Sequence, residues 1–386
     1  MALVEHYDWK SNLEINLMIM RGMGLWPKGD ETYTPGFYMV YSGIMVTLVA
    51  CHLLSEMINI YFVFDDLEAV VGIIYIILIE IMAGIKAYFV IVKMKVLKDA
   101  IVTLRSDHWF QPKNLDQKLI IQPSIDFWKL VYKVFLSACF GCNLFWMIPL
   151  LNMKSDDKRL PFLAWYPFDV KVTPLFEITY VYQLVCTGYL TMISVNVDAL
   201  ICVFNVYIGC QFDMLCDNLR NFVSLDNETA LDIGKKFVTC VRHHKKILKF
   251  VEGCSQFFNW ILFWHLIISG VSIGITMFQL TLMVPLSTEF FSLLSYGCSI
   301  ILQIFMYCYF GNEVQVKSDL VAYAPFESQW TDLPENIKMN IIIFVGNVLR
   351  PVKISAFNIF ILSLETFMKI LKTAWSYFAL LYQLSA

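Results

Sequence analysis

Seven stretches of this chain are each long and apolar enough to cross a lipid bilayer, and that feature leaves few folds open. They fall at 37–58, 69–92, 130–151, 175–208, 257–283, 289–310 and 354–384. A bilayer core takes roughly 20 apolar residues as a helix, because each residue rises about 1.5 Å. Backbone groups find no water there, so spanning segments close their hydrogen bonds internally, as helices or as sealed barrels. Composition agrees. Apolar residues make up 58% of the chain and charged residues 16%, where a soluble domain carries about a quarter charged residues. The expected fold is an all-α membrane protein with seven transmembrane helices.

Orientation follows from the basic residues, which stay cytoplasmic while acids count little. Lys10, Arg21 and Lys28 precede the first span. Lys93, Lys95, Lys98, Arg105, Lys113 and Lys118 follow the second. Arg220, Lys235, Lys236, Arg242, Lys245, Lys246 and Lys249 follow the fourth, and Lys317, Lys338, Arg350 and Lys353 follow the sixth. All twenty share one side, against Lys154, Lys158, Arg159 and Lys171 on the other. The N-terminus is therefore expected in the cytoplasm and the C-terminus outside, the reverse of a G-protein-coupled receptor. The chain also lacks an Asp-Arg-Tyr after span three and an Asn-Pro-x-x-Tyr in span seven. The first 36 residues contain acids and no sustained apolar run, so the first span is expected to direct insertion itself.

This gives a cytoplasmic segment (1–36), a six-helix bundle with helical inner loops (37–310), a cytoplasmic region (311–353) and a last helix (354–386). Phe204, Ile208, Phe212, Leu215 and Leu219 carry the helical spacing of span four past the membrane. Ile233, Phe237, Val241, Leu248 and Val251 form an apolar stripe on a basic helix leading into span five, and 333–349 is a third apolar segment. Stripes of this kind need a partner. They predict helical extensions packed as an intracellular anchor layer, within one chain or between subunits.

Several features carry no chemistry. The sequon Asn227-Glu228-Thr229 lies on the cytoplasmic side, where the glycosylating enzyme does not reach it. The eleven cysteines lie mostly in spans or cytoplasmic segments, and Cys139-x-x-Cys142 has no further Cys or His at ligand spacing. His6, His52, His108, His243, His244 and His265 show no clustering with acids in an outer cavity. No metal, cofactor, catalytic group or nucleic-acid partner is expected.

The last span is the most patterned. Asn358, Glu365, Lys369, Lys372, Ser376 and Gln383 follow one another at steps of 7, 4, 3, 4 and 7, on one helical face. Charges inside a membrane face a water-filled path or a partner. The stripe fits a conduit shared between subunits, or Glu365 paired with Lys369 or Lys372 inside a bundle. A secondary transporter could own such a stripe too, but no inverted repeat is visible.

The chain resembles the insect odorant receptors. Gly24-Leu25-Trp26-Pro27 precedes span one as that family's Gly-Leu-Trp-Pro does. Leu160-Pro161-Phe162 and Trp165-Tyr166-Pro167-Phe168-Asp169 occupy the second outer loop, and Pro174, Glu177, Tyr180 and Gln183 open span four. Tyr309-Phe310-Gly311-Asn312-Glu313, Ala322-Tyr323 and Trp330 follow span six. Ser376-Tyr377, five residues, then Gln383-Leu384 is similar to a Thr-Tyr-(five)-Gln-Phe signature shared with gustatory receptors. The Ser and Leu depart from it, and the Trp165-Tyr166-Pro167-Phe168 loop argues against a gustatory receptor.

The resemblance implies a subunit of a tetrameric ligand-gated cation channel in the cell membrane of a sensory neuron. It implies no enzyme activity and no G protein. It places Leu380 and Leu384 at a hydrophobic gate and Gln383 at a narrow polar position, on a pore helix that carries Ser376, Lys372 and Glu365. It implies a common co-receptor as heterotetramer partner and a small volatile odorant as ligand. The chain lacks the co-receptor's long insert after span four and so looks like a tuning subunit. The odorant site is expected among the outer halves of spans two, three, four and six. Mapping by depth gives Ile74, Tyr75 and Leu78 on span two and Cys139, Cys142 and Trp146 on span three. On span four it gives Tyr180, Leu184 and Thr187, and on span six Phe291, Leu294 and Cys298.

Overall fold

A computed structural model of the chain describes residues 7–29, 36–65, 67–145, 160–223 and 229–385. It is built from helices α1 (Glu14–Gly22), α2 (Phe37–Phe62), α3 (Leu67–Val92), α4 (Met94–Ser106), α5 (Leu115–Phe145), α6 (Leu175–Arg220), α7 (Ala230–Leu282), α8 (Thr288–Asp319), α9 (Glu335–Val348) and α10 (Leu364–Ser385). A two-stranded antiparallel hairpin, β1 (Ser355–Ala356) and β2 (Phe360–Ile361), precedes α10.

Among the described residues, α2, α3, α6, α7 and α8 contain segments long and apolar enough to cross a membrane. Helices α5 and α10 reach spanning length at 31 and 22 residues. The first carries Lys129 and Lys133, the second Glu365, Lys369 and Lys372.

Helices α5 to α8 all outrun the bilayer. With 46 and 53 residues, α6 and α7 measure about 69 Å and about 80 Å at 1.5 Å per residue, against a hydrocarbon core near 30 Å. Helix α5 starts at Leu115, a full inner segment before the expected start of span three at 130. Helix α7 is capped where it leaves solvent: the Thr229 hydroxyl accepts from the Asp232 amide at 3.3 Å.

Helix α6 is the central post. Residues 195–212, in its middle, are buried without a break, while Leu175, Ile178, Val181 and Val185 at its outer end face outward. Phe204, Ile208, Phe212, Leu215 and Leu219 are all completely buried, so the stripe read from sequence is packed within this chain. On the inner part of α7, Ile233, Phe237 and Val251 are buried but Leu248 is exposed; Cys240, Ile247 and Phe250 fill the stripe instead. Phe237 meets Phe344 of α9 edge-on at 5.7 Å and Phe222 at 5.6 Å. These inner contacts face water when apart. Each buried Leu or Phe is therefore worth about 1.5–3 kcal/mol there, a gain the lipid-facing halves do not have.

The N-terminal segment is structured. Trp9, Leu13, Leu17, Met20 and Trp26 are buried, and Asn16 donates to the Asn196 carbonyl of α6 at 2.8 Å. The Gly24-Leu25-Trp26-Pro27 motif ties this segment to α2. Gly24 has φ 74°, and a Cβ there would sit 3.1 Å from the Cα of Ser42. Ser42 donates to the Gly24 carbonyl at 2.9 Å.

The start of the last span also differs from expectation. The last helix starts at Leu364, not at 354, because 355–361 folds into the hairpin. Asn358 sits in its turn with φ 58°, in the left-handed region that Asn tolerates better than most residues. It therefore lies outside the polar stripe of the last helix. Gly311 of α8 makes room for this arrangement, since a Cβ there would lie 2.3 Å from Cβ of Leu362. Trp146 and the sequon residues Asn227 and Glu228 lie outside the described residues.

Candidate functional site

A cavity of about 120 Å³ lies between α3, α5, α6 and α8. Its walls follow helical spacing. Ile76, Ile79, Glu80 and Ala83 come from α3, and Phe135, Cys139, Cys142 and Asn143 from α5. Helix α6 contributes Thr187, Leu190, Thr191, Ser194 and Val195; α8 contributes Tyr296, Ser299, Ile300 and Gln303. Phe162 of the outer loop closes the cavity and is itself buried.

The outer-loop motif residues hold that lid. Gln183 accepts from the Phe162 amide at 3.2 Å, donates to its carbonyl at 3.0 Å and donates to the Tyr166 hydroxyl at 3.2 Å. The Trp165 amide donates to the Ser55 carbonyl at the outer end of α2 at 3.0 Å, and its ring stacks on Phe62. The Phe162, Trp165, Tyr166 and Gln183 positions are thus one hydrogen-bonded clasp between loop, α2 and α6.

Three of the residues mapped by depth, Cys139, Cys142 and Thr187, line the cavity. The others divide by a simple geometric reason. At about 100° per residue, Ile74 and Leu78 fall on the face of α3 opposite Ile76, Ile79 and Ala83. Phe291, Leu294 and Cys298 fall likewise opposite Tyr296, Ser299 and Gln303, and are exposed. Leu184 and Tyr180 share the cavity face of α6 but lie one and two turns outward of Thr187. Helix α3 also carries Tyr75, whose side chain lies outside those described.

Below the cavity lies a buried polar network that sequence reasoning missed. Lys86 of α3 and Asp198 of α6 are fully buried and paired at 2.5 Å. Lys86 donates to Ser194 at 2.7 Å, while Tyr307 and Gln303 of α8 donate to Asp198. The ring of His265 meets that of Tyr307 at 5.2 Å. A lone Lys in span two and a lone Asp in span four were the available signal, since intramembrane charges need partners. A second cluster departs from expectation outright: His52 does meet acids, lying 3.6 Å from Glu56 and 3.4 Å from Glu80. Glu80 comes from a different helix, a contact no local spacing reveals.

Helix α10 packs on α7 through small residues. A Cβ on Gly274 would lie 2.8 Å from Cβ of Tyr377, and Ile370 and Ala374 are buried. The opposite face carries Glu365, Lys369, Lys372, Ser376, Leu380 and Gln383, all exposed, with Leu380 at 56%. Glu365 and Lys369 pair at 2.6 Å on that surface. The side chain of Leu384 lies outside those described.

The arrangement defines a class: a helical membrane protein with a lidded apolar cavity in its outer half and an amphipathic last helix whose polar face its own bundle leaves uncovered. The sequence profile described as 7tm odorant receptor matches residues 66–375, and the chain belongs to that family. It is 22% identical to odorant receptor 94a of Drosophila melanogaster over 404 aligned positions, covering 99% of each chain. It is 22% identical to odorant receptor Or1 of Anopheles gambiae, covering 97% of this chain and 96% of that one. A match to odorant receptor 22b of Drosophila melanogaster, 25% identical, spans 54% of that relative. The fold is similar to that of the insect olfactory receptor OR5 from Machilis hrabei in complex with eugenol, with a TM-score of 0.85 at 18% identity, over 97% of this chain and 98% of that one.

Proposed function

We propose that this chain is the odorant-binding, tuning subunit of an odorant-gated cation channel, assembled with a common co-receptor in the plasma membrane of sensory dendrites. One observation carries the reading: the lidded cavity between α3, α5, α6 and α8 is walled mainly by apolar side chains, and the Thr187 hydroxyl in its wall has no hydrogen-bond partner. An apolar enclosure with few polar anchors suits a small uncharged molecule. At about 120 Å³ the cavity approaches the roughly 150 Å³ that admits benzene in an engineered protein core. The ligand is a single small ring or a short chain with one hydrogen-bonding group, which Thr187 anchors for about 1 kcal/mol.

Gating follows from differential affinity. An odorant that binds the open arrangement of the helices better shifts its population. Helix α10 then turns or tilts on the small-residue seam at Gly270 and Gly274 and widens a ring formed by Leu380 and Leu384. An apolar constriction that excludes water becomes a wetted one. Glu365, Lys369, Lys372, Ser376 and Gln383 line the conduit above and below. Support for the assembly comes from α9, which leaves Met339, Ile342 and Ile343 exposed on its outer face.

The test is whole-cell current during exposure to a panel of volatiles, with the chain expressed alone and with the co-receptor. Rapid non-selective cation current that requires both supports the reading. Saturable uptake without conductance would replace it with a transporter.

A further inference from the structure

His52, Glu56 and Glu80 form a cluster that touches the cavity only through Glu80 and that the proposed binding and gating do not use. His52 and Glu56 lie one turn apart on α2, and Glu80 faces them from α3. Their relative exposures are 0%, 1% and 3%. None of their six side-chain nitrogen and oxygen atoms forms a hydrogen bond. Two carboxylates and an imidazole in a membrane interior, all without donors, is a costly arrangement unless something positive sits among them.

We propose that these three residues hold a divalent transition-metal ion, with Zn²⁺ the best fit. The ligand set is one imidazole nitrogen and two carboxylates, and neutral imidazole with two carboxylates balances a 2+ charge. Donor spacing agrees. Metal–ligand bonds of about 2.0–2.1 Å in a tetrahedral site put donors about 3.3–3.4 Å apart. The observed separations of His52 Nε2 from Glu56 Oε1 and Glu80 Oε1 are 3.6 and 3.4 Å, and all three donor atoms lie within 4.8 Å of one another. Helical geometry supplies the preorganisation, because positions i and i+4 point the same way. The His52 ring is held edge-on by Tyr182 at 5.9 Å, and Tyr182 is itself tied to the Leu48 carbonyl at 2.8 Å. Three protein ligands leave a fourth position for water. Glu80 also lines the odorant cavity, so the ion neutralises a carboxylate in its wall.

The assignment does not rest on the odorant reading and is tested without any odorant. The purified full-length chain in detergent, stripped with a chelator, is titrated with Co²⁺ while its visible d–d absorption is followed. The expected result is a set of bands saturating at one equivalent per chain and displaced by Zn²⁺. In Glu56→Gln and His52→Gln the bands fall at least tenfold, while His265→Ala, buried elsewhere in the bundle, keeps them. Folded wild-type protein with no bands, as two carboxylates sharing a proton would give, overturns the proposal. So do bands that persist unchanged in both His52→Gln and Glu56→Gln. The wild-type titration decides the matter even where a variant fails to fold.

Discussion

Lys86 and Asp198 show how a single pair constrains the centre of this bundle. Both are fully buried, and each is satisfied only by the other, by Ser194 and by two side chains of α8. Removing one partner leaves a bare charge, which costs about 3–5 kcal/mol, whereas removing both together is nearly neutral. Lys86→Met or Asp198→Asn should therefore sharply lower the folded yield and thermal midpoint in detergent, and the double variant should recover most of the loss. Equal losses in all three would contradict the pairing. His243, in the cytoplasmic part of α7, makes a different residue-scale case. Burial, with Lys113 and His244 adding to it, pushes its pKa down to about 3. Its folded value lies below the ordinary one near 6.5, so the unfolded chain takes up the proton first as pH falls. Stability is full above about pH 6.5 and declines below it, by about 2 kcal/mol between pH 6.5 and 5 for one such group. Thermal unfolding at pH 5 and 7.5 should show this drop, and His243→Gln should reduce it.

Individual residues were the least legible level. Of the residues mapped by depth, Thr187, Cys139 and Cys142 line the cavity because their positions on α5 and α6 turn toward it. The choices on α3 and α8 fell on the opposite faces because spans apolar on every side give no periodicity to fix a register. The pairing of His52 with Glu80 was likewise hidden, since it depends on how two helices meet.

Elements were far more legible, because bilayer thickness sets a length that sequence must match. Helices α2 and α3 begin and end within a few residues of the expected spans, while α6, α7 and α8 match them at their outer ends and run on past the inner ones. Where the reading failed, local chemistry overrode hydropathy: the segment 354–363 is apolar enough to extend a span, yet it turns back as a hairpin and packs Leu362 onto Gly311. The remaining helix, Leu364–Ser385, keeps its charged and polar positions on one exposed face and its small-residue contacts on the other. Leu380 interrupts that polar face with an exposed apolar side chain, and the proposed gating puts the constriction there. Leu380→Ser should wet the constriction, raising current in the absence of odorant several-fold relative to surface protein. An unchanged baseline would remove Leu380 from the gate.

At the scale of the whole molecule, α6 organises everything else. Its outer half walls the cavity, Asp198 at its middle anchors α3 and α8, and its inner half is the core of the cytoplasmic layer. That layer was legible as amphipathic stripes, but its partner was not, because a stripe does not state whether its own chain or another covers it. The structure divides the answer: the inner stripes of α6 and α7 are buried within the chain, while Ile342 and Ile343 of α9 stay exposed. Ile342→Glu together with Ile343→Glu should leave the isolated chain folded and abolish its co-purification with the co-receptor; undiminished co-purification would place the subunit interface elsewhere.

The central claim is that occupancy of the cavity between α3, α5, α6 and α8 opens the pore. It is tested most directly by filling that cavity. Currents are recorded against odorant concentration for wild-type and Thr187→Phe channels with matched surface protein, the phenyl group projecting into the space the ligand would take. The account predicts a loss of odorant response of at least tenfold in potency with little change in the odorant-independent current. An unaltered concentration–response curve would contradict it and move the odorant site out of this cavity.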